Sequence, residues 1–138
     1  MGIKQISVFL ENTAGRLGEV TNTLANAGIN LRAISIADTE DFGILRIIAD
    51  KTDDAVAALA AAGFTTGLSD VIAVEIEDVP GSLAKLMELF RQSKINIEYL
   101  YASLEGKAGK AIVIFKLEDH EKGLKILNDN NLKIAEKF

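Results

Sequence analysis

The sequence predicts an α+β chain made of two tandem copies of one βαββαβ unit, and three observations predict it. A stretch of some twenty-six residues recurs without a gap, short alternating apolar runs alternate with helical-period runs, and glycines or polar clusters punctuate each change. In the recurrence, Ile6–Leu31 lies over Ile72–Ile97. Ile6 meets Ile72, Val8 meets Val74, Glu11 meets Glu77, Gly15 meets Gly81, and Ile29-Asn30 meets Ile95-Asn96. Further on the offset grows by two residues, setting Ile44 on Ile112 and Leu59 on Leu127. The extra residues fall in the hairpin Glu105-Gly106-Lys107-Ala108-Gly109, where insertion is tolerated. The copies are expected over residues 1–69 and 70–138.

Each element follows from its pattern. Ile6–Leu10 alternates and ends at Asn12 and Gly15, as a strand does. Leu17, Val20, Leu24 and Ala27 have helical spacing, and Gly28 stops that helix. Asn30–Ala37 and Gly43–Ala49 are strands flanking the polar loop Asp38-Thr39-Glu40-Asp41. Asp53 is placed to cap a second helix through Ala62, stopped by Gly63, and a short strand at Phe64–Gly67 closes the copy. The second copy reads as strand Val71–Ile76, helix Ser82–Ser93, strands Asn96–Leu104 and Lys110–Leu117, helix Asp119–Asn130 and strand Leu132–Phe138. This order is the ferredoxin-like one, a four-stranded antiparallel sheet with both helices on one face. The opposite face is left uncovered within one copy and wants a partner, so the copies are expected to pack on each other and the chain to pair with another chain as a homodimer.

Composition narrows the function. The chain has 138 residues, 49% hydrophobic and 25% charged, with a net charge of −5 and no cysteine. Scattered Lys and Arg on an acidic chain argue against nucleic acid and against an anionic membrane surface. The missing cysteines remove disulfides and thiolate chemistry. The start Met1-Gly2-Ile3-Lys4-Gln5 enters a strand directly, with no secretory h-region, and Gln5-Ile6 do not fit a myristoylation signal. A cytoplasmic protein without cofactor or metal is expected. His120 stands alone beside Asp119 and Glu121 and is read as a solvated helix-start residue. Asp38, Glu40 and Asp41 lack calcium-loop spacing. Tyr99 and Tyr101 share a strand face and with Phe115 could stack bases, but packing accounts for them better on so acidic a chain.

The turn between first strand and first helix is where a ligand would sit. It reads Glu11-Asn12-Thr13-Ala14-Gly15-Arg16-Leu17 in one copy and Glu77-Asp78-Val79-Pro80-Gly81-Ser82-Leu83 in the other. The glycines allow close backbone approach, and the helix start beyond them suits a carboxylate. Asn12 or Asp78 could accept from an ammonium group, and Asn30 and Asn96 offer amides. Each also reads as scaffolding: Asn12 and Asp78 as turn-formers or helix caps, Asn30 and Asn96 as corner residues satisfying backbone.

A strand ending in E-N/D-x-A/P-G-x-L, then a helix, then I-N opening a strand, resembles the ACT domain, and it does so in both copies. The resemblance implies a regulatory pair that binds an amino acid or similar small effector where modules pack, with no catalytic role. By it, the ligand-contacting positions are Asn12, Ala14, Gly15, Leu17, Asn30 and Leu31, with Asp78, Pro80, Gly81, Leu83, Asn96 and Ile97 in the second copy. Ala14 stands where the family often has proline, and Lys94 replaces the glycine before Ile95. The implied partner is an enzyme of amino-acid metabolism. The alternative is a ligand-free subunit that binds a partner enzyme.

Overall fold

The computed structural model describes residues 2–38, 41–104 and 107–136. Its elements are β1 (Ile3–Glu11), α1 (Arg16–Asn26), β2 (Leu31–Asp38), β3 (Phe42–Ala49), α2 (Thr52–Ala61), β4 (Thr65–Glu77), α3 (Ser82–Gln92), β5 (Ile97–Ala102), β6 (Lys110–Leu117), α4 (His120–Asp129) and β7 (Lys133–Ala135). Two compact units divide the chain, Lys4–Ser69 and Asp70–Phe138, with Met1–Ile3 grouped in the second. They are called the N-terminal and C-terminal units below.

In the N-terminal unit the strands lie in the order β4-β1-β3-β2, and in the C-terminal unit β7-β4-β6-β5. These are the same arrangement, with β4 serving as last strand of one unit and first strand of the next. The pairings β1–β3, β2–β3, β4–β6, β5–β6 and β4–β7 are antiparallel. The βαββαβ order repeats, as the apolar periods predict.

Each unit has its own core on the helix-facing side of its strands. Ile6, Val8, Leu10, Leu45 and Ile47 meet Val20 and Leu24 of α1 and Ala55 and Leu59 of α2. In the C-terminal unit Ile72, Val74, Val113, Phe115 and Leu117 meet Leu86 and Phe90 of α3 and Leu124 and Leu127 of α4. Alternation of side chains along a strand puts every second residue in this layer. Phe115 therefore lies in the core, its ring edge-on to Phe90 at 5.6 Å, and not beside the tyrosines. Tyr99 and Tyr101 stack on each other at 6.5 Å.

The strand face opposite the helices, expected to need cover, is buried at its centre: Gln5, Ala33 and Ile48 in one unit, and Val71, Ala73 and Ile114 in the other, are buried although the register turns them from the helices. Several other expectations are corrected. Thr65–Gly67 and Val71–Ile76 are not separate strands but parts of the 13-residue β4, which starts one residue after Phe64 and stays extended through Leu68-Ser69-Asp70. Asp53 is not the cap of α2. The helix starts one residue earlier, after Lys51, and Asp53 sits in the first turn, where its charge complements the helix dipole. Strand β5 stops at Ala102, and β7 is confined to Lys133–Ala135 where the sequence suggested Leu132–Phe138. His120 opens α4 as expected but is packed more than solvated: a Cβ on Gly2 would lie 3.0 Å from its ring. Thr39, Glu40, Glu105 and Gly106, named in the two hairpin readings, lie outside the described residues, as do Met1, Lys137 and Phe138. No helix among the described residues is long and apolar enough to cross a membrane, and they hold no cluster of three or more His, Asp or Glu able to bind a metal.

Candidate functional site

The β1–α1 and β4–α3 turns are built alike. Gly15 and Gly81 cap their helices in the left-handed region, at φ 89° and 90°, and neither helix start is closed by a side chain. Such a φ is costly for any residue with a Cβ, which explains glycine here. Asn12 and Asp78 therefore do not cap. Their main-chain N–H groups instead donate to Asp41 O at 2.9 Å and Gly109 O at 3.0 Å, which ties each turn to the neighbouring hairpin. The first intrahelical bonds run from Glu19 N to Gly15 O and from Lys85 N to Gly81 O. Helix geometry leaves the N–H groups of Leu17 and Gly18, and of Leu83 and Ala84, pointing outward from the helix start.

Space is available above these turns. A Cβ at Gly15 or Gly81 would meet nothing within 4 Å. Beside the first turn is a cleft of about 270 Å³ lined by Leu10, Asn12, Arg16, Leu17, Ile36 and Gly43, among others. Leu17 is 40% exposed and Ile36 51%, so the cleft has an apolar wall open to solvent, with an amide and a helix start opposite. A zwitterion with an apolar side chain complements that mixture. Ala14, Asp78, Pro80 and Leu83 are exposed on their turns, Leu83 at 38%.

The strand-start asparagines are elsewhere. β1 and β2 both run antiparallel to β3, so β2 begins at the sheet end opposite the one where β1 finishes. The 11-residue α1 spans the difference, about 16 Å. Asn30 binds Asp50 through main chain and side chain: its N–H donates to Asp50 Oδ1 at 3.0 Å and its carbonyl accepts from Asp50 N at 3.0 Å. Asn96 O likewise accepts from Glu118 N at 3.0 Å. Leu31 and Ile97 pack against their cores. Within a unit, then, Asn12, Ala14, Gly15 and Leu17 gather at one end, and Asn30 and Leu31 at the other. The sequence motif conceals this separation because it shows spacing along the chain and not direction. Ile36 and Gly43, which help form the cleft, were missed for the same reason: only strand register brings them to the turn.

With this geometry in view, the chain matches the model of the ACT domain pair over residues 1–137. The chain belongs to the ACT domain pair family. ACT domains are regulatory modules and not catalytic ones, and this pair carries one module in each repeat. The ACT pair is similar to a protein of Bacteroides thetaiotaomicron whose crystal structure is known. They share 37% identity over 98% of this chain and 92% of that one, with a TM-score of 0.92. The fold is also that of the regulatory subunit of aspartate kinase from Thermus thermophilus, solved without ligand, at 22% identity, 94% and 93% coverage and a TM-score of 0.68. The corresponding subunit from Thermus flavus has 20% identity, 94% and 92% coverage and a TM-score of 0.64. No curated protein matches the sequence of this ACT pair.

Proposed function

We propose that this ACT pair, with modules at 1–69 and 70–138, is a cytoplasmic sensor that binds an amino acid or similar small effector at its glycine turns and regulates an enzyme of amino-acid metabolism. One observation carries the reading: an uncapped helix start behind a left-handed glycine, open above and flanked by the Asn12–Leu17–Ile36 cleft. Unpaired N–H groups hold the carboxylate there, Asn12 meets the ammonium group, and Leu17 and Ile36 accept the side chain. The second turn, with Asp78, Pro80, Gly81 and Leu83, offers a more acidic version. The Thermus neighbours are named as regulatory subunits of such an enzyme, which is the partner class proposed here.

Asn30 and Asn96 enter this proposal only if the protein is a homodimer in which a second copy brings its strand start to the turn. A thermal-shift screen of the purified protein against the twenty amino acids tests the reading. An effector at about 100 times its dissociation constant adds roughly 2.7 kcal/mol, a rise on the order of 5 °C or more for domains this small. Gly15→Val should remove the shift. Asn30→Ala should weaken it if the site lies between copies and leave it alone if one turn suffices. No shift from any amino acid would reject the sensor reading in favour of a ligand-free subunit, for which the exposed Phe42 and Leu104, at 61% and 65%, supply apolar contact surface.

A further inference from the structure

The two units fill one corresponding space differently. In the N-terminal unit Phe64 is buried, at 7% exposure, and the Arg16 guanidinium lies 4.7 Å from the centre of its ring. Arg16 Nη1 in turn pairs with Glu19 Oε2 at 2.5 Å. Ring, planar cation and carboxylate fill this space together, and the two charges cancel. The matching residues of the C-terminal unit are Leu132, Ser82 and Lys85. The match is anchored by backbone: Gly15 and Gly81 share their φ, and the bond from Phe64 N to Leu59 O recurs as Leu132 N to Leu127 O, both at 3.0 Å. In this unit the ring and the guanidinium are gone, and an ammonium group has replaced the carboxylate.

What remains is a groove of about 610 Å³ whose apolar surface comes from Ile76, Leu86, Leu89 and Leu132, with Ser82 and Lys85 on the α3 side. The pairing of β7 with β4 stops at Glu75↔Lys133, which leaves the groove open next to Ile76. Its size suits a small molecule. The two carboxylates in its lining already have counter-ions, Glu77 with Lys110 and Glu75 with Lys133 at 3.3 Å. Lys85 has no ion pair among the described residues. The lining thus carries one uncompensated cation on a chain whose net charge is −5.

We propose that this groove is a second ligand site, for a small carboxylate with a flat apolar body, an arylalkanoate in the simplest case. The shape is read from the sister unit, where the same space holds two stacked flat groups. The charge is read from Lys85. The ring lies on Leu86, Leu89 and Leu132, the carboxylate meets the Lys85 ammonium group, and the Ser82 hydroxyl donates to it. The site is separate from the glycine-turn cleft of the N-terminal unit and stands or falls without it.

The test is a titration of the isotopically labelled full chain with 3-phenylpropionate, followed by amide chemical shifts. The proposal expects saturable shifts at residues 85–89 and 132, with a dissociation constant below about 5 mM. Lys85→Glu should weaken binding about tenfold or more, and the uncharged 3-phenylpropanamide should bind weaker by a similar factor. Transplanting the sister residues, Ser82→Arg with Lys85→Glu and Leu132→Phe, should abolish binding in a chain that still melts cooperatively. Should that triple variant fail to fold, the exposed Lys85→Glu alone and the amide decide. Shifts that never saturate, shifts confined to residues 12–17 or 78–83, equal affinity for the amide, or unchanged binding in Lys85→Glu would each overturn the proposal.

Discussion

Gly123 shows how single residues in the two units compensate one another. It is buried in α4, and a Cβ there would come 2.2 Å from Leu117 Cδ1 and 3.5 Å from Ile72 Cδ1. The corresponding residues of the N-terminal unit are Ala55 and Ala49, both buried. One unit thus has two methyl groups where the other has a leucine and a hydrogen. Gly123→Ala gains about 1 kcal/mol of helix propensity but overpacks a filled core, a cost of about 1–3 kcal/mol. Leu117 is 1% exposed and has little room to move away. The expected net effect in urea unfolding is a loss of roughly 1 kcal/mol, with the variant more stable than wild type as the opposite result. Leu117→Ala alone should cost about 2–5 kcal/mol, and adding Gly123→Ala to it should cost nothing further or recover part of the loss. A double-mutant cycle reads that coupling directly. None of this was legible from the sequence, where Gly123 looks like an unfavourable helix residue, because the reason for it is a side chain on another element.

At the scale of elements, helix ends set the two copies apart more than helix middles do. Asp119 caps α4, its Oδ1 accepting from Lys122 N at 3.1 Å, while Lys51 stands at the same place before α2 with no side-chain cap. Lys51→Asp should therefore stabilise by about 0.5–1 kcal/mol, and Asp119→Ala should cost about 1 kcal/mol. Both are measurable as shifts in Tm, and equal sensitivity at the two positions would contradict the assignment. The stop signals differ too. Gly28 and Gly63 end α1 and α2 at φ 72° and 88°, whereas Lys94 and Asn131 occupy the same left-handed positions at φ 56° and 57° after α3 and α4. Lys94→Gly should raise stability by about 0.5–1 kcal/mol, relieving the Cβ strain. Element identity and order were legible because apolar periodicity is a local signal, and the Lys110–Leu117 strand is found where its pattern put it. Caps were less so: Asp53 looked like a better cap than Lys51, but the position at which the chain enters a helix is decided by packing of Ala55 and Leu59.

The whole molecule reads as duplication followed by divergence. The repeat was visible because duplicated strands and turns kept their spacing. Of the candidate site, only the turns were legible, since Gly15 and Gly81 mark a backbone that only glycine adopts comfortably. Neither the distance between Asn12 and Asn30 nor the groove beside Ser82 could be seen, because each depends on which strand end, or which distant side chain, is near.

Strand β4 has one more consequence. Its thirteen residues, Thr65–Glu77, belong to both units, the first ending at Ser69 and the second taking up the chain at Asp70. Tolerance to inserted residues should be lowest where this strand is paired. One glycine added after Ala108, in a hairpin where the repeats already differ in length, should leave the melting curve nearly unchanged. The same glycine added after Ala73, inside the pairing of β4 with β6, would invert every later side chain of the strand with respect to its neighbours and send Val74 and Ile76 out of their core. Such a protein should be recovered insoluble or without a cooperative transition.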